Sequence, residues 1–130
     1  MKVLHLTLKK KWFDMILSGE KKEEYREFKD YWLSRLTEDN SYCQMGFDSG
    51  YVINAKEFDV VCFKNGYQKN APSFVIECKG IEVDKGKPEW GAKKDEYCFV
   101  IKLGKIIHDV EAYALEFIRK SDLALKDIPF

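Results

Sequence analysis

Hydrophobic and polar residues alternate over the first eight positions of the chain. Leu4, Leu6 and Leu8 fall on one side of this segment, and the residues between them fall on the other. This alternation has the period of a β-strand with one buried face. The pattern therefore predicts a first strand over Lys2–Leu8.

The spacing of apolar residues then changes to that of a helix. Trp12, Phe13, Ile16 and Leu17 recur three and four positions apart, with charged side chains between them. Ser18-Gly19 follows at once, and glycine is the common residue just past a helix end. A short amphipathic helix is predicted directly after the first strand.

Later segments rich in β-branched and aromatic residues predict further strands. These strands are Val60–Lys64, Ser73–Lys79 and Tyr97–Leu103. Further strands are predicted over the charged segment Lys22–Arg26 and over Tyr51–Ile53. A short helix is predicted over Asp30–Leu36, a surface excursion over residues 37–57, and a loop over Asp84–Gly91.

The last periodic segment predicts a helix over residues 109–120 that packs on the sheet. Asp109 is a suitable N-cap. The apolar stripe consists of Val110, Tyr113, Ala114, Phe117 and Ile118. Residues 1–130 then form one domain of mixed α+β class, mainly β, most simply a small barrel with two or three peripheral helices.

Composition narrows the possible functions of this domain. The chain has 130 residues with 22 Lys plus Arg and 22 Asp plus Glu, a formal net charge of zero. That balance argues against a strong, sequence-independent grip on duplex nucleic acid. No apolar run approaches the roughly 18 residues of a membrane helix, and no secretory signal is recognisable.

The cysteines and histidines suggest no metal or cofactor. Cys43, Cys62, Cys78 and Cys98 are widely spaced and are expected to be reduced core residues of a cytoplasmic protein. The two histidines lack partners at ligand spacing. Neither a metal site nor another cofactor is expected.

The densest run of charge lies between Gly19 and Arg26. In an extended backbone, Lys22, Glu24 and Arg26 would share one face and Lys21 would lie on the other. A solvent-exposed edge strand with cross-paired charges is the ordinary interpretation of such a run. A ligand site is the alternative.

The order of residues in this region resembles the ASCH domain, a family related to the PUA domains. After a Leu-x-Leu strand and a Trp-Phe-x-x-Ile-Leu helix, Gly19, Lys21, Glu24 and Arg26 match all four positions of the motif G-x-K-x-x-E-x-R. The position of the motif after a strand and a helix adds to its specificity.

The resemblance extends to about residue 107. Phe63-x-Asn65-Gly66-Tyr67, the strand around Glu77 and Trp90-Gly91 are similar to small stand-alone ASCH proteins of bacteria and their phages. Asn65-Gly66 also favours a tight turn by itself.

The resemblance implies a PUA-like β-barrel with a cleft beside the first helix and a general association with RNA or nucleotide-like ligands. It places Lys21, Glu24 and Arg26 in the cleft. Lys21, Lys22 and Arg26 would meet phosphate, and Glu24, Tyr67 or Trp90 would meet a base. The expected partner is RNA, another single-stranded nucleic acid or a nucleotide-like small molecule.

One branch of the family implies an enzymatic alternative, an amidohydrolase that deacetylates N(4)-acetylcytidine with a lysine, a threonine and a glutamate. Lys21 and Glu77 match the lysine and the glutamate, but Glu24 occupies the threonine position. A hydroxyl nucleophile is then missing, and the Glu24 carboxylate would raise the pKa of Lys21 and weaken it as a base. Glu77 is alternatively a residue on the solvent side of its strand.

A third possibility is a protein-interaction module whose aromatic segment, Phe28–Trp32, meets a partner. It predicts an exposed apolar patch near Tyr31 and Trp32. The sequence leaves the oligomeric state open.

Overall fold

A computed structural model describes residues 1–47, 49–109 and 111–116 of the chain. Its helices and strands, in chain order, are β1 (Val3–Thr7), α1 (Lys10–Leu17), β2 (Glu23–Glu27), α2 (Asp30–Leu36), β3 (Thr37–Gln44), β4 (Tyr51–Ala55), β5 (Val60–Lys64), β6 (Ser73–Lys85), a 3₁₀ turn (Pro88–Trp90) and β7 (Tyr97–Ile107). Residues 111–116 are helical. The fold is mainly β within a small α+β architecture, which confirms the predicted class at that level.

Five strands form a curled sheet in the order β1-β5-β6-β7-β2. β1 runs parallel to β5, and the other neighbouring pairs are antiparallel. The curl brings the two edge strands toward each other. Arg26 on β2 donates a 3.1 Å hydrogen bond to the backbone carbonyl of Thr7 on β1 and so joins the two edges.

The core fills the inside of this curl. β1 contributes Leu4 and Leu6, α1 contributes Phe13 and Ile16, and all four are buried, as the alternation and the helical spacing predicted. The apolar stripe of α1 packs into the open side of the sheet because the helix follows β1 after only two residues. The same connection places one end of α1 beside the join between β1 and β2.

The polar segment after α2 differs from the prediction. Residues 37–57 were expected to be a surface excursion with one short strand, but β3 and β4 pair as a two-stranded antiparallel sheet. Only Thr37 of β3 is buried. A strand exposed on both faces carries no alternating apolar signal, which explains why the pattern predicted β4 alone.

Two later strands are also longer than predicted. β6 continues through Gly80 to Lys85, and β7 continues to Ile107, with shifts of register around Cys78. A β-bulge lets a strand bend and continue where the sequence appears to end it. The predicted loop is correspondingly shorter, and its last residues form the 3₁₀ turn.

The predicted C-terminal helix is described only in part. Residues 111–116 are helical, and Asp109 accepts a hydrogen bond from the backbone N–H of Ala112, as expected of an N-cap. Val110, Phe117 and Ile118 of the predicted stripe lie outside the described residues. No helix in the described part of the chain is both long and apolar enough to cross a membrane.

Cysteine placement is mixed. Cys62, Cys78 and Cys98 are half-buried on the curled sheet, whereas Cys43 is exposed on β3. The expectation of a core position was therefore wrong for Cys43, since β3 lies outside the core.

Candidate functional site

The join between β1 and β2 opens into a cleft of about 520 Å³. Its walls come from the end of β1, the start of α1, β2 and two loops. The lining residues are Thr7, Leu8, Lys9, Trp12, Lys21, Glu24, Tyr25, Arg26, Asn65, Gly66, Tyr67, Trp90 and Gly91. The volume is in the range of small-molecule sites in proteins.

A chain of three charged side chains forms the floor of the cleft. The carboxylate of Glu24 binds Lys21 Nζ through Oε1 at 3.0 Å and Arg26 Nη2 through Oε2 at 2.8 Å. The Lys21 side chain is 1% exposed, that of Glu24 7% and that of Arg26 19%. Two cations therefore share one buried carboxylate, and Arg26 is the most accessible of the three.

Lys21 reaches this position because it precedes β2. Sequence alternation placed Lys21 and Glu24 on opposite faces, but the strand begins at Glu23. The alternation therefore holds for Glu24 and Arg26 and does not extend back to Lys21. Gly19, with φ of +86°, lets the chain turn between α1 and this segment.

Aromatic rings and a backbone carbonyl complete the surroundings of Lys21. Its Nζ lies 4.5 Å from the centroid of the Trp12 ring and 5.2 Å from that of Tyr25, and it donates a short hydrogen bond to the carbonyl of Trp90. These contacts replace the hydrogen bonds to water that the ammonium group loses when it is buried. Lys21 is a buried part of the floor rather than a free phosphate contact.

The pKa of Lys21 lies below its usual value. Burial is the largest cause because it disfavours the charged form, and the Glu24 carboxylate opposes it. The expectation that Glu24 would raise this pKa was therefore wrong for the net effect, because burial outweighs the carboxylate.

The loop bearing Trp90 is held against the floor by Tyr25 and Trp12. The Tyr25 hydroxyl donates to Glu23 at 2.8 Å and accepts the backbone N–H of Lys87 at 3.0 Å. Gly91 has φ of +104°, and a β-carbon there would lie 3.0 Å from the Trp12 ring. The close approach of loop and ring thus depends on glycine at this position.

Asn65 and Gly66 border the cleft, but they begin a longer loop, residues 65–72, rather than the tight turn predicted for them. The Asn65 side-chain amide donates to the carbonyl of Leu8 at 3.0 Å and fixes the loop to the end of β1. Tyr67, which follows, is 93% exposed at the mouth of the cleft. Trp90 is half-buried, with Lys87 Nζ 4.2 Å from its ring centroid.

Two predicted site residues lie elsewhere. Lys22 is exposed and lines a separate depression, of about 350 Å³, beside Gly19 and the bend of β7. Glu77 is absent from the cleft lining, and its Oε1 accepts the backbone N–H of Lys105 at 3.1 Å. The structure therefore does not bring Glu77 or Lys22 into the cleft that Lys21 lines.

The position of Glu77 has a physical reason. The register of β6 and β7 shifts between Ile76 and Cys78, so Gly104 and Lys105 stand opposite the single residue Glu77. The carboxylate supplies a partner for a backbone N–H that the bulge removes from the ladder. Its contact supports the sheet.

Sequence reasoning missed several lining residues. Trp12 was assigned to the apolar face of α1, and helical spacing does not reveal that one edge of its ring borders a cleft. Tyr25 was missed because alternation in an extended strand places it on the face opposite Glu24 and Arg26, whereas all three line the cleft. The three lysines Lys9 to Lys11 before Trp12 were the available signal, since Lys9 lines the cleft.

The predicted aromatic patch on α2 is only partly exposed. Tyr31 is 56% exposed, but Trp32 is half-buried, packs against the core, and lies beneath two guanidinium groups, Arg26 at 5.1 Å and Arg35 at 5.4 Å. Within the described residues, no three His, Cys, Asp or Glu side chains converge as a metal site would require.

Comparison with known proteins assigns no family, because no family model, curated protein or solved structure matches the chain.

Proposed function

We propose that the cleft binds a nucleotide-like ligand, either free or as part of single-stranded RNA, in a cytoplasmic ASCH-like domain with a PUA-like barrel. The observation that carries the proposal is the combination of a partly accessible guanidinium at the floor of the cleft with aromatic side chains at its walls and mouth. Guanidinium groups bind phosphate with two parallel hydrogen bonds, and exposed aromatic rings stack on bases.

The charges around the cleft support an anionic ligand. Lys9, Lys21 and Arg26 line it with Glu24 as the single acidic lining residue, although the whole chain is neutral. A local positive potential concentrated in a concave site attracts anions without a basic surface elsewhere. The neutral remainder of the protein predicts a shallow dependence of affinity on salt, because few phosphates would be neutralised.

Arg26→Ala tests this proposal. Affinity for nucleoside monophosphates and a short oligoribonucleotide is measured by the fluorescence of Trp12 and Trp90, both at the cleft. We expect a loss of about 1.5 to 3 kcal/mol, the contribution of a charged hydrogen bond. Lys22→Ala is the matched control, since it removes one positive charge outside the cleft and should bind as the wild type does.

Arg26→Lys separates charge from geometry. It keeps the cation and removes the planar fork, so its affinity should fall between wild type and Arg26→Ala. Far-ultraviolet circular dichroism checks that each variant is folded. Equal affinity in wild type and a folded Arg26→Ala would contradict the proposal, as would wild-type protein that binds none of these ligands.

Hydrolysis of an acylated nucleoside is a second candidate, favoured by the lowered pKa of Lys21. Burial lowers the pKa of its amine, so a larger fraction of Lys21 than of an ordinary lysine is unprotonated and able to accept a proton. Incubation with N(4)-acetylcytidine beside a Lys21→Ala control tests it, with chromatography of the deacetylated product as the measurement. No turnover by folded wild type would remove this candidate for that substrate.

A further inference from the structure

A second cavity lies directly across Arg26 from the cleft. Its volume is about 420 Å³, and it shares Tyr25, Arg26 and Gly91 with the cleft as a common wall. Phe28, Trp32 and Tyr97 supply its aromatic lining. Two concave sites of similar size therefore meet at one guanidinium group.

The lining of the second cavity suits a planar, polar ring. Trp32 and Tyr97 are half-buried, so part of each remains accessible from the cavity. Glu27, Lys93 and Glu96 are exposed on its rim. Aromatic faces stack on any base, and carboxylates accept hydrogen bonds from the amino groups of bases.

The charges of the two sites differ. The second cavity has Arg26 and Lys93 against Glu27 and Glu96, which balance formally. The cleft has three cations against Glu24. A ligand that spans both sites would therefore place its negative charge over the cleft side of Arg26 and a neutral base in the second cavity.

Arg26 has hydrogen-bonding capacity left for such a ligand. Its Nη2 atom donates to Glu24 and to the Thr7 carbonyl, and Nε is buried without a hydrogen-bond partner within the described part of the chain, so neither nitrogen is available to a ligand. The remaining nitrogen, Nη1, makes no side-chain hydrogen bond to the described residues and is the donor left for a phosphate. The guanidinium group carries five N–H donors in a fixed plane. Its Cζ also lies 5.1 Å from the centroid of the Trp32 ring, which holds it at the wall between the two sites.

We infer that the ligand is a segment of single-stranded nucleic acid at least two nucleotides long. One base occupies the cleft, the adjoining base occupies the second cavity, which Trp32 and Tyr97 help to line, and the phosphodiester that joins them lies at Arg26. This inference rests on the proposed function of the cleft and extends it from a single nucleotide to a dinucleotide unit.

The test compares dinucleoside monophosphates with mononucleotides of the same base whose phosphate is methylated, so that each ligand carries one phosphodiester with a single negative charge. Dissociation constants are measured by fluorescence and by calorimetry on the full chain. Stacking of a further base contributes about 1 to 3 kcal/mol, so the dinucleotide should bind roughly 5- to 150-fold more tightly. Ribose and deoxyribose series run in parallel, and whichever shows the larger advantage identifies RNA or DNA as the source.

Variants of the second cavity identify where the added affinity arises. In Trp32→Ala the ratio of dinucleotide to mononucleotide affinity should fall close to one. Because Trp32 packs partly against the core, Lys93→Glu provides a second variant at the exposed rim and should lower the ratio several-fold. Lys94→Glu is the matched control, since the neighbouring lysine is exposed and lies outside the cavity lining.

The outcomes separate the inference from the proposed function. Mononucleotide binding with no dinucleotide advantage would overturn the second subsite and leave the proposed function standing. A dinucleotide advantage that survives in both Trp32→Ala and Lys93→Glu would also overturn it. Wild-type protein that binds neither ligand would overturn the proposed function itself.

Discussion

The short segment from Gly19 to Arg26 holds its charged side chains in two different environments. Lys22 is exposed in the depression beside Gly19. Its neighbour Lys21 instead joins Glu24 and Arg26 in a buried network under the cleft. Lys21 and Lys22 are chemically identical neighbours, but the free energy of unfolding depends more on the contacts of Lys21 than on those of Lys22.

Burial, rather than residue type, determines how much each of these charges contributes to the free energy of unfolding. An exposed ion pair such as Lys102–Glu82, with both side chains nearly half exposed, typically contributes less than about 1 kcal/mol. Removing one partner of a buried pair leaves an uncompensated charge away from water. Three sets of variants test this difference between buried and exposed charges.

The largest effect is expected for Glu24→Ala. It removes the carboxylate that two buried cations share, and the free energy of unfolding should fall by about 3 to 5 kcal/mol. Urea unfolding monitored by circular dichroism measures the change. Glu82→Ala is the control and should cost less than about 1 kcal/mol; similar losses in the two variants would show that the buried network has no special weight.

A smaller effect is expected at the two glycines that flank these environments. Gly19→Ala and Gly91→Ala both force a residue with a side chain into positive φ, which costs about 1 to 2 kcal/mol. Gly91→Ala should cost more, because its β-carbon meets the Trp12 ring whereas nothing lies within 4 Å at Gly19. Thermal unfolding compares them, and equal losses would mean that the Trp12 ring yields freely.

Gly91→Ala should also weaken ligand binding, whereas Gly19→Ala should leave it unchanged. The reason is that only Gly91 lines the cleft. Fluorescence titration with a nucleoside monophosphate checks this difference. Equal affinity in both variants would place the ligand away from the Trp90 loop.

The smallest effect is the pH dependence that Lys21 contributes to stability. Since burial lowers its pKa in the folded chain, the unfolded chain binds more protons between that lowered pKa and the usual lysine value of about 10.4. The free energy of unfolding should therefore rise with pH in this window. The rise is limited because Glu24 opposes burial.

Comparison with Lys21→Met isolates this contribution. Burial raises the pKa of Tyr25, so this residue lowers the free energy of unfolding as the pH rises above the usual tyrosine pKa. The effect is present in wild type and in Lys21→Met. The stability of wild type relative to Lys21→Met should increase with pH, measured by urea unfolding at several pH values. A difference that stays constant or falls with pH would mean that folded Lys21 keeps its proton throughout.

Elements with one buried face were predictable from sequence, and elements without one were not. β1 and α1 followed from Leu4, Leu6, Phe13 and Ile16 because each element packs one apolar face on the core. β3 was missed because every residue of it except Thr37 is exposed, so the strand carries no alternating apolar pattern. Local pattern does not encode the pairing of β3 with β4.

The sequence predicted those residues of the candidate site whose position follows from the local strand or loop that bears them. Arg26, Glu24, Asn65 and Trp90 were identified and do line one cleft. Glu77 was misplaced because a shift of register between two distant strands determines what its carboxylate contacts. Residue type and spacing carry no information on such a shift.

Arg26 has two structural roles, and a single substitution would change both. The same guanidinium group joins β1 to β2 through the Thr7 carbonyl and offers the accessible charge of the cleft. A substitution that changed the charge of the cleft at this position would also remove the hydrogen bond between the two edge strands of the sheet. We therefore expect a change of ligand to be accommodated through Tyr67 and Trp90 at the mouth, while the arginine is retained for its contact with β1.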